Sequence, residues 1–288
     1  MKYIVVTGAS SGIGFETVRY LLEKGYYVFG SVRTAADATK LAARFPLNFT
    51  PLVFDLTDEP AMIASVEQVT AILGDHNLSG LVNNAGIVVP GPMLHLSKEK
   101  MRHQFEVNTF GPLVLCQLYF PLLRSKDVHP PGRIVNVSSL AAEIALPFMG
   151  PYSASKRALS NLAHALRREY YPYGIQVIDI QPGRVKTGIV DTLASNAAPF
   201  SDTDFEAGMT RYLDSAQYLR DRGLSPEAIA ATIYRALNDA RPQLLYVKPY
   251  RYFSRWKIPA NLPARMLDRI LAKRMRLLPE FLKNKNTP

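Results

Sequence analysis

Tyr152 and Lys156 stand four residues apart in the run YSASK. On a helix, positions i and i+4 lie one above the other, so this spacing puts a phenol and an ammonium on one face. A free phenol titrates near pH 10. A neighbouring cation favours phenolate and brings the hydroxyl toward the range where it exchanges protons at neutral pH. The pair therefore reads as proton-transfer chemistry, yet spacing alone does not carry that reading. For a chain of 288 residues with 15 Tyr, chance supplies roughly 0.7 such pairs. A second pair, Tyr20 and Lys24 in YLLEK, does occur. It lies on the first expected helix with no serine partner and reads as an incidental surface pair.

The elements that must position these residues follow from the apolar pattern. YIVVTG is a short apolar run stopped by glycine, and after the GASSGIG turn a helical pattern starts at Phe15, Val18, Leu21 and Leu22. YYVFGSV, FTPLVFD, LSGLVNNAG, GRIVNVSS, GIQVIDIQPG and PQLLYV repeat the strand theme, with helical segments between them. Strands alternating with helices predict an α/β fold: a doubly wound, mostly parallel sheet with helices on both faces. One domain is expected over 1–250, followed by a basic helical extension over 251–288. Ligands of such sheets bind at the carboxyl ends of the strands. Thr7-Gly8, Asp55, the Asn-Asn-Ala-Gly run ending at Gly86, Ser138-Ser139 and Pro182-Gly183 would all gather on that rim.

In TGASSGIG, Gly8, Gly12 and Gly14 let the backbone turn sharply and approach a ligand, while the following helix points its first amides at an anion. That suits a pyrophosphate. TGASSGIG, NNAG (Asn83 to Gly86), Asn108 in FEVNTFGP, NVSS (Asn136 to Ser139), YSASK and PGRVKT (Pro182 to Thr187) occur together, in this order. In order and separation they resemble the short-chain dehydrogenases/reductases over about residues 1–250.

The resemblance implies an NAD(P) cofactor. Its cradle would use Gly8, Ser10, Ser11, Gly12, Ile13 and Gly14, with the adenine near Asp55 and Leu56 and the ribose near Asn84. Ala85, Gly86, Pro182, Gly183 and Val185 would complete the contact, with Thr187 on the carboxamide. Strand two ends in GSVRT, with Val32 where the family's acidic residue would fall and Arg33 next. A guanidinium is well shaped for a 2′-phosphate, so NADP(H) is expected over NAD(H).

For the chemistry, the resemblance implies an oxidoreductase interconverting hydroxyl and carbonyl groups, with Tyr152 as general acid/base. Lys156, together with the positive charge of the oxidised nicotinamide, would acidify Tyr152, and Lys156 would also bond the nicotinamide ribose. Ser139 would polarise the substrate carbonyl; it is chosen over Ser138 because it stands thirteen residues before the tyrosine, as in the family. Asn108 would support a water path from Lys156. Ala142 stands where many relatives carry glycine, and Gly150-Pro151 precedes the tyrosine where other residues are common. No metal is expected. The alternative is a non-catalytic dinucleotide-binding regulator of the same fold.

The segment 188–225 carries Ile189, Val190, Leu193, Phe200, Phe205, Met209, Tyr212, Leu213 and Tyr218. Family members use this region as a lid, and its apolar content suits a steroid, a retinoid or an aliphatic ketone or alcohol; core packing is the competing reading.

The formal charge is +10, but ten Lys or Arg and only two acids lie from Arg251 onward. That confinement to the tail, with no recognised motif, argues against a nucleic-acid partner. Met266, Leu267, Ile270, Leu271, Met275 and Leu278 follow helical spacing there, with Arg265, Arg269, Lys273 and Arg276 largely on another side. Such a helix could rest on an anionic membrane, cover the substrate mouth, join a partner subunit or stay a solvated face. The single cysteine, Cys116, and the lack of a signal-like start or a membrane-length apolar run make a cytoplasmic protein the expectation, at most attached to a membrane surface. The resemblance also implies dimers or tetramers through the helices that contain Asn108 and Tyr152.

Overall fold

The computed structural model describes residues 1–125, 129–188, 200–218 and 222–281. The apolar runs form strands β1 (Tyr3–Val6), β2 (Tyr27–Val32), β3 (Phe49–Val53), β4 (Gly80–Asn83), β5 (Arg133–Val137), β6 (Gln176–Pro182) and β7 (Leu245–Lys248). They make one sheet in the order β3-β2-β1-β4-β5-β6-β7, with every neighbouring pair parallel. Chain order reverses between β1 and β4, which opens the crevice at their carboxyl ends.

Successive side chains of a strand point to opposite faces. Ile4 and Val6 pack on one side with Val18 and Leu21 of α1 (Gly12–Glu23) and Leu41 of α2 (Ala35–Arg44). Val5 packs on the other with Met62 and Val69 of α3 (Glu59–Leu73). The sheet is thus covered on both faces, as expected of strands that are apolar nearly throughout. Helix α1 begins at Gly12, three residues before the apolar pattern starts, so its first amides belong to the glycine motif itself.

Helix α4 (Lys98–Phe105) runs through a π-helical turn (Glu106–Phe110) into α5 (Gly111–Leu123). Pro112 has no N–H to close an α-turn onto residue 108. The ladder slips by one residue, with Gly111 N–H donating to Glu106 O, and Asn108 sits in the widened turn. Helix α6 (Gly150–Glu169) carries the YSASK run, and α7 (Glu206–Tyr218) lies within the expected lid. Helix α8 (Pro226–Asn238), capped by Ser225, covers the α1 face.

Beyond β7 the chain forms a π-helical turn (Phe253–Lys257), α9 (Ile258–Asn261) and α10 (Ala264–Arg274). The amphipathic pattern read through to Leu278 is cut short. Arg276 adopts φ +52° and Leu277 N–H bonds Ala272 O at 2.9 Å, which ends α10 at Arg274 and leaves Leu278 beyond it. Met275 and Leu277 nevertheless fold back onto the body beside Phe148 and Met209.

Candidate active site

At the carboxyl end of β1, Gly8 takes φ +70°, the left-handed region that glycine enters without penalty. Gly14 allows the closest approach: a Cβ there would lie 2.0 Å from Gly8 O and 2.6 Å from Asn84 Nδ2. Thr7 ties this loop to the Asn-Asn-Ala-Gly run, since its Oγ1 accepts from Asn84 N and Ala85 N, each at 2.9 Å. The Asn84 amide donates inward to Thr7 O at 2.9 Å, so it braces the loop. Ser11 caps α1 without a side-chain bond, and no acid lies in the first turn, which leaves the helix amides for an anion. A Cβ on Gly12 would sit 3.0 Å from Thr187 Cγ2, so the segment after β6 closes over the same loop.

Arg33 is exposed just beyond β2, close enough for its charge to act on Asp55. Burial pushes the Asp55 carboxyl up, but two hydrogen bonds from Thr57, with Arg33 and His103 nearby, outweigh it and hold the group below its ordinary value. Leu56 is buried beside it. Leu140 Cδ1 would lie 3.0 Å from a Cβ on Gly183, whose N–H donates to Lys248 O at 2.8 Å. Val185 forms an isolated bridge with Leu224. A glycine cradle that any side chain would fill, free helix amides and a cation at the end of β2 fit a phosphorylated dinucleotide.

The second cluster is built on α6, β5 and the π-turn. Lys156 is 4% exposed, and its Nζ donates to Val137 O at 2.9 Å. Asn108 Oδ1 accepts from Ile87 N at 2.9 Å, while Nδ2 donates to Ile87 O at 3.0 Å and to Ser155 Oγ at 3.1 Å. A Cβ on Gly86 would lie 3.1 Å from Asn108 Oδ1 and 3.3 Å from Lys156 Nζ, so the two polar groups converge on the one residue with no side chain. Ser139, in an extended conformation, accepts from Ala141 N at 3.1 Å and hydrogen-bonds Tyr152. Ser138 is buried, with its hydroxyl on Asp179, which leaves Ser139 as the serine facing the tyrosine. Lys24 stacks on Tyr20 at 5.6 Å and on Tyr234 at 6.0 Å, outside this rim.

The expected acidification of Tyr152 draws on both Lys156 and the nicotinamide's charge, and the protein supplies only the first. Tyr152 is not acidified in the protein alone: burial raises its phenol above the ordinary value, and the Ser139 hydrogen bond only partly offsets this. Lys156 loses hydration in the same place and is pushed down to about 8, with Asp179 opposing the fall. Both groups lose hydration here, Tyr152 half-buried and Lys156 buried, and each then favours its neutral form, which spacing along a helix does not report.

Asp179 escaped the sequence reading. It lies mid-strand in β6, is buried, and accepts from Ser138 Oγ at 2.5 Å, Ser160 Oγ at 2.7 Å and Gln181 Nε2 at 3.3 Å. Burial raises its carboxyl, while those donors and Lys156 draw it back. It thereby clamps the serine next to Ser139 and the helical turn after Lys156. The signal available was an acid inside an otherwise apolar strand, GIQVIDIQPG, where a buried carboxylate must find partners.

An apolar cluster packs against the tyrosine. Val88, Leu96, Phe148, Phe200, Met209, Tyr212 and Met275 are buried together, with Tyr152, Met149 and Phe205 against them. Tyr212 Oη donates to Met149 Sδ at 2.8 Å. Phe148 holds φ +68°, an uncommon conformation for a bulky residue, and turns its ring toward Phe205 and Tyr212. Ile189, Val190 and Leu193 of the expected lid lie outside the described residues; Tyr218 is exposed.

A profile of the short chain dehydrogenase family matches residues 2–198. The chain is 39% identical to an NADPH-dependent 3-dehydrocapnine reductase of Ornithobacterium rhinotracheale, over 96% of this chain and 99% of that one. It is 29% identical to a 3-ketodihydrosphingosine reductase of Bacteroides thetaiotaomicron, over 84% and 85% of the two chains. A crystal structure of a short-chain dehydrogenase from Streptomyces avermitilis superposes with a TM-score of 0.73 at 26% identity, covering 97% of this chain and 95% of that one.

Proposed function

Because this chain belongs to the short-chain dehydrogenase family and is thereby an NAD(P)-dependent oxidoreductase, we propose that it reduces a ketone on a long apolar substrate with NADPH. The observation that carries this reading is the position of Tyr152 between the Ser139 hydroxyl and the apolar cluster. Two relatives named as reductases, one of them NADPH-dependent, support the direction and the cofactor. Arg33 supports the cofactor from this chain's own residues.

NADPH, when bound, supplies the hydride. The Gly8 to Gly14 loop and the α1 amides would hold its pyrophosphate, Arg33 its 2′-phosphate, and Lys156 and Thr187 the nicotinamide end. Ser139 donates to the substrate carbonyl oxygen and draws electron density onto it. A phenol held above its ordinary value by burial stays protonated at neutral pH, the state a donor to a forming alkoxide requires. Lys156, near the midpoint of its titration at about 8, restores that proton through the space above Gly86, with Asn108 anchoring the path. The side chains of Phe148, Met209 and Tyr212 exclude water and match hydrocarbon.

The test is a nicotinamide-absorbance screen of long-chain aliphatic ketones, steroids and retinals with NADPH and NADH. The reading expects turnover of the aliphatic ketones with NADPH, improving as the chain lengthens. Turnover confined to short polar carbonyls, or a preference for NADH, would overturn it.

A further inference from the structure

The extension after Pro249 leaves several of its apolar side chains in solvent. Phe253 is 69% exposed and Ile258 55%, and Tyr252, Met266, Ile270 and Phe281 are exposed as well. Helix α10 buries none of its residues. Leu267 and Leu271 are half-buried, while Met266 and Ile270 are exposed. They lie within about 40° of each other around the axis, with Lys273 and Arg269 on one side of them and Arg274 on the other.

The aromatic residues repeat this arrangement. Tyr252 meets Phe253 and Trp256 at 5.3 Å each, and Lys257 lies over the Trp256 ring at 6.0 Å. Between α7 and the end of α10 a cleft of about 440 Å³ is lined by Arg211, Lys273, Arg274 and Arg276, with Glu280, Leu278 and Phe281. Arg276 holds φ +52°, where glycine or asparagine would be relaxed. A residue kept there against that preference brings its guanidinium to a cleft already cationic.

Exposed aromatic and aliphatic side chains ringed by cations match the interface of an anionic bilayer, where rings and methyl groups enter the acyl boundary and guanidinium and ammonium groups meet phosphate. A nucleic acid would use the cations and leave Phe253, Ile258 and Ile270 in water. We infer that residues 251–281 dock the enzyme on an anionic lipid surface, with the Arg211–Arg276 cleft taking a lipid headgroup phosphate. The same extension supplies Met275 and Leu277 to the apolar cluster that Tyr152 packs against, so the docked face would border the proposed substrate site. That consequence rests on the proposed reduction of apolar ketones, whereas the docking does not.

The experiment is co-sedimentation of the full-length protein with vesicles of phosphatidylglycerol and phosphatidylcholine, against phosphatidylcholine alone, at low and high salt. Binding is expected to the anionic vesicles and to fall at least tenfold on raising the salt. The double variant Phe253→Glu/Ile270→Glu should lose at least tenfold in partitioning, and so should Arg211→Glu/Arg276→Glu. Both should keep NADPH affinity and melting temperature. Failure of the wild-type protein to sediment with anionic vesicles would overturn the inference. So would wild-type partitioning by the variants, equal binding to neutral vesicles, or displacement from vesicles by stoichiometric duplex DNA. A concentration-dependent dimer abolished by Phe253→Glu/Ile270→Glu, without vesicle binding, would show the face to be a contact between copies. A failure of the reductase reading would leave vesicle binding intact.

Discussion

Replacing Lys156 by Met should change how stability depends on pH in a way no surface lysine can. In the unfolded chain this lysine titrates at 10.5, and in the folded protein burial brings it to about 8. Between those values the unfolded chain holds a proton that the folded protein has released, so stability rises with pH across this window. Below pH 8 the full cost of keeping the ammonium buried is present, and above 10.5 it is gone. The full displacement is worth roughly 3–4 kcal/mol, most of it recovered by about pH 10.

The raised phenols of Tyr119, Tyr170 and Tyr212 act in the opposite sense at higher pH, but wild type and variant share them and the difference cancels their effect. Urea unfolding of both proteins at intervals from pH 7 to 10 is the assay. The wild-type curve should gain about 2–3 kcal/mol on the Lys156→Met curve over that range. Parallel curves would show that Lys156 has an ordinary acidity and is not buried as an ammonium.

Asp179→Asn removes the negative charge that opposes the fall in the Lys156 pKa while keeping an acceptor for Ser138. The alkaline limb of the kcat profile should move to lower pH, with KM nearly unchanged; an unmoved limb would assign Asp179 to packing alone. Arg33→Ala should weaken NADPH about tenfold to a hundredfold, the worth of a charge-assisted bond or two, and leave NADH unaffected. Fluorescence titration with both cofactors reads this directly. Gly14→Ala places a Cβ 2.0 Å from Gly8 O, so the loop must shift. Cofactor binding should be lost and the melting temperature lowered, both visible in a thermal melt with and without NADPH.

The sheet was legible because each strand is a short apolar run ended by a polar or glycine residue, and both faces of a parallel sheet are buried. The rim was legible for the same reason: Gly8, Gly86, Ser139 and Gly183 stand where those runs stop. The π-turn at Asn108 was not, since it comes from a missing N–H at Pro112, four residues on. Nor was Asp179, whose partners Ser138 and Ser160 come from β5 and α6. The rise of the Tyr152 phenol in the protein alone was not legible either, because a helical spacing reports the neighbouring ammonium and is silent on the water both groups lose. Phe148 shows the same limit, as its left-handed backbone is held by aromatic neighbours distant in sequence.

The central claim is that Tyr152 delivers the proton while a reduced nicotinamide delivers hydride to a ketone carbon. It is tested most directly with NADPH deuterated at the transferring position and a long-chain ketone, reading the product alcohol by mass spectrometry for wild type and Tyr152→Phe. The account predicts one deuterium on the carbinol carbon in the wild-type product, and at least a thousandfold slower formation by Tyr152→Phe at unchanged NADPH affinity, roughly the weight of a general acid. Unlabelled alcohol, or a Tyr152→Phe enzyme as fast as wild type, would contradict it.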